Sequence, residues 1–276
     1  MNHKIGKTIT GAAVWVVVVV GLVSPAQAAA PILASHRAVY DIALKHASDA
    51  SGITDVSGRI VYEFKGSACE GYSTNYRFVM KIRSVGGNEV TDQQVISFED
   101  GTGENFRFLS KSFVDDRLEQ ELSGMAAHDG EATTITLKKP KEAEFTLASA
   151  LFPTAHTIDL LQRAATGESI YETKIFDGSD GGDRVMTTTV IVGPQKSGTE
   201  GDGENAGPLK SEPFRNVSIS YFDEEDENGG ESLPAYQTSF KLYDNGVTRD
   251  LLMDYGDYAL TGSLNQIEIL PQESCK

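Results

Sequence analysis

Two groups of polar side chains have the types and spacing to do chemistry. The first is His156, with Asp159 three residues on and Arg163 four beyond that. Residues three or four apart share a helix face, so Asp159 could orient His156 as a general base toward a hydroxyl such as Ser149, the arrangement of an activated nucleophile. Asp159 and Arg163 also stand in the favourable order for an ion pair, and no oxyanion device accompanies them, so a polar face satisfying itself is the expected role. The second group is Asp177, Ser179, Asp180 and Asp183 in FDGSDGGD. Hard oxygens on a glycine-rich turn suit calcium, but the ligand order and closing bidentate Glu of an EF-hand are missing, which favours a simple acidic turn.

The remaining devices are absent. G-x-S-x-G, H-E-x-x-H, P-loop and C-x-x-C motifs do not occur, and His36, His46, His128 and His156 have no partner at ligand spacing. No metal or other cofactor is therefore expected. The net charge of -16 opposes approach to nucleic acid or to anionic lipid surfaces. The run Asp223, Glu224, Glu225, Asp226, Glu227 reads as a solvated acidic loop.

The element carrying the first group is the one long segment with helical periodicity, residues 151–167 (LFPTAHTIDLLQRAATG). Ala155, Ile158, Leu161 and Ala165 form its apolar stripe, Thr154 can cap its start, and Gly167 suits the left-handed residue that ends it. Everything around it alternates with the period of a half-buried strand. Ala38, Tyr40, Ile42 and Leu44 share a face, as do Val56, Ile60, Tyr62 and Phe64, and then Tyr72, Thr74, Tyr76, Phe78, Met80 and Ile82. Glycine-rich turns at Gly86–Gly87 and around Gly101–Gly103 continue the meander, and a hairpin is expected on either side of 177–182. Asn245-Gly246 between two alternating runs is the strongest hairpin signal. Residues 197–207 (SGTEGDGENAG) read as a surface loop.

The count comes to roughly 12 to 14 antiparallel strands and one helix, far above ordinary strand content. A sheet of that size must curl or close, and a wide curl leaves an interior that its own side chains do not fill. The expected fold is mainly β: a large curved antiparallel sheet, a β-spiral or open barrel, with the helix packed in or against it. Space left beside Ile158 and Leu161 would form an apolar ligand site.

The first residues carry His3, Lys4 and Lys7, an apolar run through Val16 to Val20, and Ala26-Gln27-Ala28. This is the order of a secretory signal peptide, too short in its apolar part to span a bilayer. Cleavage after Ala28 is expected to leave one exported, soluble, periplasmic domain, residues 29–276, and to remove Trp15, the chain's only tryptophan. Two cysteines, Cys69 and Cys275, remain. In an oxidising compartment they most simply pair, the alternative being two buried free thiols. A bridge would close a loop of 206 positions (275 - 69), worth at most about 5 kcal/mol on chain entropy.

The signal segment, the HRAVYDIAL strand at 36–44, Cys69 followed by Gly71, the LFPTAHTIDLL stretch at 151–161, the FDGSD turn at 176–180 and the terminal cysteine occur in an order that resembles the EipB (envelope integrity protein B) family of periplasmic proteins in Gram-negative bacteria. The resemblance covers essentially all of residues 29–276. It implies a β-spiral or open-barrel domain, a Cys69–Cys275 disulfide and a role in keeping the cell envelope intact, with no enzymatic activity. It does not account for the stretch near residue 200. That fold is similar to periplasmic carriers of lipids and lipoproteins. The expected function is thus non-catalytic binding of an envelope protein partner or a hydrophobic or acyl ligand; the alternative is a lipid or lipoprotein carrier, and behind it an envelope-polymer hydrolase built on His156 and Asp159.

Overall fold

The computed structural model describes residues 31–179, 181–198, 204–223, 233–272 and Cys275. The expected signal segment, Asp180, part of the 197–207 loop and the acids at 224–227 lie outside the described residues. In chain order the strands are β1 (His36–Ala47), β2 (Ile53–Ser67), β3 (Gly71–Ser84), β4 (Gly87–Glu99), β5 (Asn105–Val114), β6 (Arg117–His128), β7 (Ala132–Lys139) and β8 (Ala143–Ala148). The helix α1 (Pro153–Thr166) follows. After it come β9 (Ile170–Ile175), β10 (Met186–Val192), β11 (Phe214–Asp223), β12 (Tyr236–Tyr243), β13 (Thr248–Asp254) and β14 (Tyr258–Ile269).

All fourteen strands form one antiparallel sheet, in the order β8-β7-β6-β5-β4-β3-β2-β1-β14-β13-β12-β11-β10-β9. Two meanders are joined where the first strand pairs with the last, His36 opposite Ile269 and Ala47 opposite Tyr258. The sheet curls without closing on itself: β8 and β9 are its two edges, and α1 connects them in sequence. Leu151, just before α1, crosses to the β9 edge and exchanges backbone hydrogen bonds with Lys174 and Phe176 at 2.9 Å each, which satisfies part of an edge that would otherwise be bare.

Alternation sends one face of each strand inward. Ala38, Tyr40 and Ile42 of β1 and Ile60 and Phe64 of β2 are buried there, while Arg37, Arg59 and Arg77 pair outside with Glu63, Asp41 and Asp92. Three clusters fill the interior. One gathers Ile42, Ile60, Phe78, Tyr243 and Leu260 across the β1–β14 junction. A second packs Leu160, Leu161 and Ala164 of α1 against Phe64, Tyr72, Val190, Val217 and Leu242, so the helix lies within the curl. A third surrounds the start of the helix, with Phe106, Phe108, Phe152 and Phe176 linked by ring contacts. No helix among the described residues is long and apolar enough to cross a membrane.

The disulfide is present: Cys69 in the β2–β3 turn bonds Cys275, with Cα atoms 5.6 Å apart. It ties Cys275, beyond β14, to the hairpin of the first meander next to the β1–β14 junction.

The helix differs from expectation at its start and around its girth. Its N-cap is Phe152 with Pro153 at the first helical position, and Thr154 makes no cap through its hydroxyl. The C-terminus is as expected, with Gly167 left-handed at φ 88°. The buried residues are Thr154, His156, Leu160, Leu161 and Ala164, whereas Ala165 is exposed. A helix inside a concave sheet is covered on more than one side, so burial extends beyond the apolar stripe to a histidine.

Candidate functional site

The inner faces of β2 to β5, the first turns of α1, the turn after β9 and the β12–β13 hairpin enclose a cavity of about 490 Å³. It continues beneath α1 into a lobe of about 380 Å³ that shares Tyr62, Tyr76, Thr157 and Tyr236 with the first. Both volumes fall within the roughly 300–1,000 Å³ of small-molecule sites. Along β12 the wall runs from Tyr236 to Leu242, seven residues of strand or roughly 20 Å. The space is elongated, with tyrosine rings on several sides.

Its lining follows from strand phase. Gln93, Val95 and Ser97 are successive inward residues of β4, as are Thr74 and Tyr76 on β3 and Phe106, Phe108 and Ser110 on β5. Hydroxyls and amides interrupt the aromatic surface. Burial pushes the phenols of Tyr62 and Tyr221 up to about 12, against hydrogen bonds to Thr74 and Thr238 respectively. These rings stay neutral at any physiological pH and present π faces.

From α1 the lining residues are Pro153, Thr154, His156, Thr157 and Leu160. Ile158 and Leu161, expected beside the space, are not among them: both lie on the adjoining stripe, packed into the cluster with Tyr171 and Val190. The helix turns its most apolar stripe to the densest packing and its Thr157 side to the void.

At the start of the helix sits a residue the sequence reading passed over. Glu99, at the end of β4 and 3 % exposed, accepts the backbone N–H of Thr154 through Oε2 (2.8 Å) and that of Ala155 through Oε1 (2.6 Å). It does the work of an N-cap from another strand, and its charge faces the positive end of the helix dipole. Burial nevertheless pushes its carboxyl up to about 7, the two N–H bonds acting against the shift. The signal was available: Glu99 falls in phase with inward-facing Val95 and Ser97, and an inward acid needs a partner.

The sequence-predicted polar groups separate. Asp159 receives the Arg163 Nε at 2.8–2.9 Å, and the same guanidinium reaches Glu168 at 3.1–3.2 Å and covers the Tyr171 ring at 4.5 Å. His156 is buried instead, with Nε2 3.5 Å from the hydroxyl of Thr188, which itself donates to the Thr173 carbonyl at 3.0 Å. Burial lowers the His156 pKa, Asp159's charge opposing it. The hydroxyl beside the imidazole is therefore Thr188, not Ser149, and it is engaged elsewhere. No hydrolytic dyad is assembled between His156 and Ser149.

The acidic turn is fixed by packing. Asp177 Oδ1 accepts the Ser179 N–H at 2.9 Å, and Gly178 sits at φ 74° where a Cβ would come within 2.7 Å of the Phe108 ring. Asp177 thereby enters the walls of both lobes. Across the cavity Gly246, in the β12–β13 turn, plays the same part against Leu33, whose Cδ2 a Cβ would meet at 2.7 Å. Among the described residues no three His, Cys, Asp or Glu side chains converge on one point as metal ligands would.

A family model described as EipB-like matches residues 27–271 of the chain. The cell envelope integrity protein EipB of Brucella abortus (strain 2308) is 43% identical over 251 residues, which cover 90% of this chain and 89% of that protein. A crystal structure from Brucella abortus, described as a beta-barrel-like protein of domain of unknown function DUF1849, superposes with a TM-score of 0.82 at 42% identity. It covers 88% of this chain and 100% of the crystallised one.

Proposed function

The chain belongs to the EipB-like family, and we propose that it serves the integrity of the cell envelope, from the periplasm and without catalysis, by holding a hydrophobic or acyl ligand in the cavity beside α1. The name of the Brucella relative supports the cellular role. The binding reading rests on one observation, an elongated space of about 490 Å³ walled by aromatic side chains inside the curled sheet. An interior left open at that size costs the dispersion contacts that packing would supply, and a resident apolar ligand restores them.

A neutral hydrophobic dye such as Nile red tests this reading. The expected result is saturable binding by the wild type and at least tenfold weaker binding by Val95→Trp, whose indole would occupy the void from β4. Equal binding by the two proteins would refute it.

A second reading, a lipid or lipoprotein carrier, is favoured by the unpaired seam. Because β8 and β9 are edges of one sheet and not ladder partners, the tie at that seam is the pair of backbone hydrogen bonds from Leu151 to Lys174 and Phe176, and the curl can part there for loading without breaking a strand ladder. Transfer of a labelled acyl ligand between vesicle populations, faster with the protein than without, is its test. A protein partner as the bound species belongs to the same proposal, with the sheet exterior in place of the cavity as the binding surface.

A further inference from the structure

The charged groups lining the cavity are few, and they are all on one side of neutrality. Among the described residues the walls of both lobes include one formal charge, Asp177, and two imidazoles, His36 and His156, with no lysine or arginine. His36 donates through Nδ1 to the Ala34 carbonyl at 2.7 Å, and burial disfavours the cationic form of both imidazoles. The Asp177 carboxylate is held by the Ser179 N–H and has no cationic partner among the described residues. Its charge reaches Tyr221, where it adds to burial in keeping the phenol protonated.

Tyrosine rings share the lining with that carboxylate, Tyr62 and Tyr76 among them outside the tyrosine stack. Tyr221 and Tyr236 are stacked at 4.2 Å and 12°, and Tyr255 continues the stack at 6.1 Å from Tyr236. Tyr62 and Tyr76 border the same space from β2 and β3. Aromatic faces with one acid and no lysine or arginine are the composition that attracts a cation, since the ring quadrupole and the carboxylate act in the same direction. An anionic head group would meet Asp177 and a chain of net charge -16, with no cation to balance it.

We propose that this cavity selects its ligand by head group, taking an amphiphile whose amine or quaternary ammonium lies between Asp177 and the rings of Tyr62 and Tyr76 while its apolar body follows the inner wall. The proposal rests on the binding reading above and specifies the chemistry of the same site.

Calorimetric titration with decyltrimethylammonium, decyl maltoside and decyl sulfate, each below its micellar concentration and at physiological salt, tests it. The ammonium compound should bind about tenfold more tightly than the maltoside, and the sulfate most weakly. Asp177→Asn should remove most of that preference while leaving the maltoside unchanged, and Glu89→Gln, which deletes an equal charge at an exposed site, should leave the order intact. Tyr76→Leu should weaken the ammonium compound several-fold and Tyr76→Phe, which keeps the ring face, should not, so the test survives if Asp177→Asn fails to fold. Equal affinity for the three head groups, or a preference unaltered by Asp177→Asn and Tyr76→Leu, overturns the selectivity and leaves the binding reading standing. Tetramethylammonium binding as tightly as the decyl compound overturns the amphiphile. Failure of all three decyl compounds to bind the wild type overturns the cavity reading itself.

Discussion

Replacing Glu99 by glutamine should flatten one component of the protein's pH-dependent stability. In the folded chain the carboxyl titrates near 7, against about 4.3 for an exposed glutamate. The folded state therefore holds a proton that the unfolded state releases. A raised acid pKa contributes stability that is complete below the unfolded value and is lost as pH rises through the folded one. At about 1.4 kcal/mol for each unit of difference, the loss between pH 4.5 and 8 is about 3 kcal/mol. His36 and His156, lowered by burial, act the other way: their contribution is present above about 6.5 and lost as pH falls below it. The comparison with Glu99→Gln separates these, since the amide keeps the shape and cannot titrate. The carboxamide oxygen in that variant would still accept one of the two N–H groups of Thr154 and Ala155, so the protein should fold at some cost, about 1–2 kcal/mol at low pH. Urea unfolding at half-unit steps from pH 4.5 to 8 gives both curves. The wild type should start about 1–2 kcal/mol above the variant, lose about 3 kcal/mol relative to it and end below it at pH 8, with the steepest change between about pH 5 and 6.5 and a plateau above 7. Parallel curves, or a wild type that gains on the variant as pH rises, would refute the placement of an uncompensated acid under the helix.

Three further outcomes follow from the same structure. Reducing the Cys69–Cys275 bridge should lower unfolding free energy by up to about 5 kcal/mol, since it closes so long a loop, read as a fall in the urea midpoint with dithiothreitol; an unchanged midpoint would contradict it. Gly178→Ala should cost about 2 kcal/mol or more through its left-handed φ and the Phe108 ring, seen in thermal unfolding, and an unshifted midpoint would mean the turn moves freely. Arg163→Met should cost less than about 1 kcal/mol, the usual worth of a partly exposed ion pair, and a larger loss would show that the Asp159 network holds the helix in place.

Much of the architecture was legible because strand phase writes itself along the chain: Tyr40, Tyr62 and Tyr76 each fall on the apolar side of an alternating run, and each faces inward. The Asn245-Gly246 hairpin and the Gly167 helix end were equally local and equally readable. The β1–β14 pairing was not, because it joins residues more than two hundred positions apart, and its one trace in sequence was the pair of cysteines beside it. The helix misled in a specific way. Ile158 and Leu161 carry its most apolar stripe, and that stripe goes to the tightest packing, so the residues facing the void are the more polar Thr154 and Thr157. Glu99 leaves no local trace of what it caps, because the backbone N–H groups it holds lie 55 and 56 positions further along the chain. Asp177 stands out in the sequence for its oxygens, but only the fold sets it in one wall with Tyr62 and Tyr76.

The central claim is that the space beside α1 holds a ligand, and native mass spectrometry of protein taken gently from its own cell envelope measures this most directly. The account predicts a bound small molecule at one per chain, extractable into organic solvent and absent from Val95→Trp. A spectrum showing only the bare chain, unchanged after incubation with an envelope lipid extract, would contradict it.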